Sequence, residues 1–105
     1  MNMKKEIERL VEARKGKIVK LASELICQNT ENPPGNEYRT AKIVEREFKK
    51  AGIKYDVFEK VKTRPNVVGY VGKKIKPKLL IACHMDVVPA GPNWKTDPFK
   101  AVIKN

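Results

Sequence analysis

Disulfide and metal chemistry have few side chains to draw on in this sequence. Histidine occurs once, at His84, and cysteine twice, at Cys27 and Cys83, far apart and without the paired spacing of a zinc module. A disulfide scaffold is thereby excluded, and in a reducing compartment the two thiols are expected as buried apolar side chains. Long apolar runs are missing as well. The longest, LLIAC at residues 79–83, falls far short of the roughly 20 residues that cross a bilayer. The amino terminus, MNMKKEIERLVEARKGK, alternates charge with apolar residues and offers no small-residue cleavage site. A cytoplasmic protein with no membrane contact is expected.

Acidic residues are also scarce: 12 Asp and Glu stand against 23 Lys and Arg, a formal charge of +11. Such an excess raises the question of nucleic acid. The lysines are spread along the whole chain, however, and the densest run, GKKIKPK at residues 72–78, lacks the interleaved aromatics on which bases stack. A solvated surface explains the charge, with that run as a hairpin loop, and no nucleic-acid partner is expected.

With 41% hydrophobic and 33% charged residues the composition is that of a globular protein. A chain of this length buries only about 65% of its unfolded surface, so its core is modest. Ile7, Leu10, Val11, Ile18, Leu21, Ala22, Leu25 and Ile26 recur at helical spacing and predict one long amphipathic helix. QNTENPPGNE at residues 28–37 ends it, because two prolines and a glycine cannot continue a helix. Asn36 is then placed to cap a second helix, with Glu37 in its first turn. Ala41, Val44, Phe48 and Ala51 form the inner face of that helix, and Gly52 suits the left-handed residue past its end. IKYDVFE (53–59) and NVVGYVG (66–72) read as strands able to pair as a hairpin. LLIACH (79–84) shows no alternation, the pattern of a strand covered on both faces.

His84 stands where that apolar run gives out, the end of a strand at which ligands collect in open α/β sheets. Residues two apart in an extended chain share a face, so His84 and Asp86 can point into one site while Cys83 points away. A neutral imidazole ligates zinc, and its other ring nitrogen commonly donates to a carboxylate. A structural histidine bonded to a nearby Asp is the competing reading of so short a pattern.

Three stretches in order bear on that choice: NPPGNE (32–37), HMDVVPAG (84–91) and WKTDPF (94–99). Together they resemble the amino-terminal portion of the zinc metallopeptidase and deacetylase family of acetylornithine deacetylase, succinyl-diaminopimelate desuccinylase, aminoacylase and glutamate carboxypeptidase. The resemblance runs from Lys4 to Asn105. It implies an α/β fold, two helices followed by strands of a mixed sheet, as part of a catalytic domain filling residues 1–105, with the rest of that domain and a dimerisation domain absent. It implies His84 as a zinc ligand and Asp86 as the acid that orients it. Asn32 to Gly35 are explained by turn geometry, and Trp94 with Phe99 by packing over the sheet edge.

The family's complete site holds two zinc ions, with cobalt or manganese as alternatives, and cleaves the amide bond of N-acyl amino acids or small peptides. It also uses a bridging Asp, an adjacent Glu-Glu pair, another acidic ligand and a distal His. This sequence has three Asp, no Glu-Glu pair and no second His. Three readings follow: a fragment of such a hydrolase, a subunit completed by another chain, and a non-catalytic remnant of the scaffold. The first is expected, with the 105 residues alone inactive and prone to self-association.

Overall fold

A computed structural model describes residues 2–73 and 75–104. Met1, Lys74 and Asn105 therefore lie outside the described residues, the first and last of them at the ends of the expected 1–105 domain and Lys74 within the expected loop at 72–78. Helix α1 runs over Met3–Ile26, and its first turn is closed by Asn2, whose side-chain oxygen accepts from the backbone nitrogens of Lys4 and Lys5 at 3.1 and 3.4 Å. The helix passes through Gly16 unbroken. None of its residues is buried: Ile7, Val11, Ile18 and Val19 on its apolar side are exposed. Its last turns are tied to the second helix by an ion pair between Glu24 and Arg46.

Helix α2 covers Tyr38–Lys50. Its N-cap is Glu37 and not the expected Asn36, and no side chain caps it, because the Glu37 carboxylate turns to a residue far along the chain. After α2 the chain turns at Gly52, at φ 67°, a left-handed conformation that costs glycine nothing. Strands β1 (Lys54–Phe58) and β2 (Asn66–Tyr70) pair antiparallel, with Lys54 opposite Tyr70 and Phe58 opposite Asn66. The hairpin packs on α2 through Phe48, whose ring lies 6.0 Å from that of Tyr55. Gly69 makes this contact feasible, since a Cβ there would sit 2.7 Å from the Phe48 ring. Two helices and a sheet in one chain make the fold α/β in class. Among the described residues the sheet has two strands and is antiparallel, not mixed.

The expectation of an inner strand at residues 79–84 is overturned. Among the described residues no strand forms there, and Leu79, Leu80 and Ile81 are exposed, Ile81 to 81%. The physical reason is the lack of a partner. The strands β1 and β2 pair with each other, and no described element offers the run a ladder neighbour or a covering face. Consequently the described residues of the run at 72–78 do not connect two strands. Cys27 and Cys83 are free as expected but exposed, not buried, for the same want of cover. No helix among the described residues is long and apolar enough to cross a membrane.

Burial is concentrated elsewhere and half of it is polar. Among the described residues Thr30, Glu37 and Thr40, with Gly35, Ala41 and Pro65, are the buried residues around the start of α2, Ala41 at 1% exposure. That polar centre is where the loop before α2 meets the segment after His84.

Candidate functional site

Residues 30–32 lie alongside residues 85–87 and fix their backbone. Thr30 donates its hydroxyl to the Met85 carbonyl at 2.8 Å, Val87 donates its amide to the Thr30 carbonyl at 3.1 Å, and Asn32 donates its amide to the Val87 carbonyl at 2.8 Å. Glu31 and Val87 form an isolated parallel bridge, and the Glu31 carboxylate accepts from the Ala90 amide at 2.7 Å. Trp94 closes the following turn, its indole nitrogen donating to the Ala90 carbonyl at 2.8 Å, with the ring 57% exposed. This local bond replaces the expected packing over a sheet edge.

Held in this way, Asp86 presents two acceptors to one ring nitrogen. His84 Nδ1 lies 2.7 Å from the Asp86 carbonyl oxygen and 3.2 Å from carboxylate oxygen Oδ1. Both contacts call for a proton on Nδ1, which leaves the Nε2 lone pair unshared. The His84 side chain is 82% exposed, so Nε2 faces open space. The other carboxylate oxygen, Oδ2, accepts from Asn32 Nδ2 at 2.9 Å and lies 3.5 Å from an Arg64 nitrogen. The hydrogen bond from Asn32 holds the Asp86 carboxyl below its ordinary range, with smaller help from a backbone hydrogen bond and from the His84 ring.

Arg64 is itself anchored. It sits in the connection between β1 and β2, and its guanidinium grips Glu37 with Nε at 3.1 and 3.2 Å from the two carboxylate oxygens and a terminal nitrogen at 2.7 Å. The pairing lowers the Glu37 carboxyl below its usual value and raises the guanidinium's own, each chiefly through the hydrogen bond to the other. Gly35, at φ 68°, permits the approach, because a Cβ there would lie 2.7 Å from Arg64 Nε.

His84 and Asp86 are thus brought together. Asn32, accounted for by turn geometry in the sequence, bonds Asp86, and the pairing of Glu37 with Arg64 carried no sequence signal, since 27 positions separate them. Among the described residues no group of three or more His, Cys, Asp or Glu side chains is placed to hold a metal ion. The donor set fits one ligand arm with its orienting acid and does not make a complete centre.

Neither a family model nor a solved structure matches the chain. A short stretch is similar to succinyl-diaminopimelate desuccinylase. With that protein of Helicobacter pylori strain P12 the chain shares 52% identity over 33 residues, 30% of this chain and 9% of the relative. With that of strain G27 it shares 55% over 31 residues, 29% of this chain and 8% of the relative, and with that of strain J99, 52% over 33 residues, 30% and 8%. The match covers under a tenth of the length of these curated relatives.

Proposed function

We propose that the chain is the opening portion of a metal-dependent amidohydrolase that cleaves the amide bond of N-acyl amino acids or small peptides, and that His84 supplies one ligand through Nε2. The observation that carries this reading is the double hold on His84 Nδ1 by Asp86, at 2.7 and 3.2 Å, with Nε2 left exposed. A ligating histidine is oriented in this manner by the partner of its other nitrogen. The short similarity to desuccinylases points to the same chemistry and favours an N-succinyl or related acyl group.

Zinc, or cobalt or manganese in its stead, would polarise the amide carbonyl and acidify a water. The residues of this chain hold protons and positions: Asp86 keeps the proton on His84 Nδ1, and Asn32 favours the Asp86 carboxylate, with Arg64 3.5 Å from the same oxygen. The remaining ligands come from polypeptide beyond these 105 residues, in the same chain or a complementing one. Exposed Leu79, Leu80 and Ile81 favour such a completion, since an apolar run of this kind gains by being covered.

Two measurements test the reading. Zinc titrated into the chain should move the His84 Nε2 resonance in a long-range proton–nitrogen spectrum and leave Nδ1 protonated. The product of the complete reading frame, or of this frame with its neighbour, should release acyl groups from N-succinyl or N-acetyl amino acids, and His84→Ala should abolish release. A zinc shift confined to other side chains, together with turnover indifferent to His84→Ala, would overturn it.

A further inference from the structure

Both acceptors of the His84 ring belong to one residue, so whatever orients Asp86 orients the ring. Its carboxylate is divided between two duties, Oδ1 toward His84 and Oδ2 toward Asn32 and Arg64. Its backbone is held on either side, by Thr30 at Met85 and by Thr30 and Asn32 at Val87. Thr30 is 3% exposed, so these bonds form away from competing water. Arg64 adds a fixed charge because the buried Glu37 holds it, and the buried Gly35 allows it close.

We propose that Thr30 and Asn32, with Arg64 beside the same Asp86 oxygen that Asn32 bonds, are positioning residues that set which ring nitrogen of His84 is presented outward. The inference rests on His84 being a metal ligand for its use, but the arrangement itself can be read without metal. Rotation of the Asp86 carboxylate by a quarter-turn in χ2 would break the Asn32 bond, so that bond fixes the plane in which the other oxygen meets the ring. The Asp86 carbonyl, the nearer acceptor, depends in turn on the Thr30 and Asn32 bonds that keep residues 85–87 extended.

The experiment reads the tautomer of His84 in the metal-free 105-residue chain by ring nitrogen shifts, in alkaline buffer where imidazoles are neutral. The protein as it stands should carry its ring proton mainly on Nδ1. Asn32→Ala should raise the ratio of the Nε2–H to the Nδ1–H form by roughly fivefold, the effect of one lost hydrogen bond. Thr30→Val should act in the same direction, and Thr30→Ser, which keeps the hydroxyl, should restore the original ratio. Amide shifts of α2 and the hairpin check that each variant is folded, and Arg64→Gln, which leaves buried Glu37 unpaired, is reserved for comparison. An unchanged ratio in folded Asn32→Ala and Thr30→Val overturns the positioning role. Failure of zinc to touch Nε2 while the ratio shifts as expected would instead remove the metal reading and leave the positioning intact.

Discussion

Two apolar stretches of this chain meet opposite fates. NVVGY in β2 pairs with β1 and packs on α2, leaving Val67 and Val68 half-buried, whereas LLI at residues 79–81 stands in solvent with Leu80 at 79% exposure. The second stretch is the more hydrophobic. What separates them is a neighbour: β2 has a ladder partner one short connection away and a helix face beneath it, and residues 79–81 have neither among the described residues. Apolar pattern thus states what a segment gains from burial, and topology decides whether the gain is collected.

The most direct way to break the contrast is to remove the apolar surface. Leu80→Lys with Ile81→Glu should abolish self-association of the isolated chain, seen as a fall from oligomer to monomer mass in light scattering. The same pair placed in the completed enzyme should prevent assembly or folding. If the isolated chain is monomeric before any change, the exposed run is not adhesive and the contrast loses its force.

Next in size comes the site that joins the two regions. In the complete hydrolase of the proposed function, Asp86→Ala should lower metal affinity or activity by roughly 10- to 100-fold, as loss of an orienting partner does. Competition with a chelator measures it. An effect no larger than that of a surface substitution such as Lys95→Ala would show that the ring needs no such partner.

A smaller effect probes the well-packed region. Gly35→Ala forces a side chain into a left-handed backbone at φ 68° and against Arg64, and should destabilise the chain by about 1–3 kcal/mol in urea unfolding. Gly16→Ala, in the open middle of α1 where nothing lies within 4 Å of a new Cβ, should stabilise by a little under 1 kcal/mol. Equal responses at the two glycines would mean that the polar centre is not tightly packed.

The smallest predicted effect is in pH. Glu37 has its carboxyl depressed by Arg64, so its contribution to stability is complete above the unfolded carboxylate range, about 4.3, and is lost as pH falls through the lower folded value. Asp86 is depressed too, and its contribution disappears in the same direction. The acid limb of a stability profile should therefore be steep, and Glu37→Gln should flatten part of it at the expense of stability near neutrality. A slope unaltered by that change would assign acid sensitivity to other carboxylates.

Periodicity and turn chemistry located α1, the loop after it, α2 and the hairpin, because each is governed by residues close in sequence. The pairing of His84 with Asp86 was legible for a related reason, the two-residue repeat of an extended chain. The cap of α2 was not. Asn36 has the better capping side chain, yet Glu37 takes the position while its carboxylate serves Arg64, 27 residues on. The bond from Asn32 to Asp86 spans 54 residues and was hidden behind prolines that already explained the turn. Such contacts are set by how the loops come together, and no local spacing announces them.

Trp94 is the sole tryptophan in the chain, and its indole is tethered to Ala90, itself bonded to Glu31. The protein consequently carries its one indole fluorophore at the edge of the His84 loop, selectively excitable over its three tyrosines. With the ring more than half exposed, any segment that comes to cover this region should shift its emission to shorter wavelength, and acrylamide quenching should fall in step. Docking of a complementing chain could be followed in real time without a label, at a reporter two bonds removed from the loop that holds Asp86.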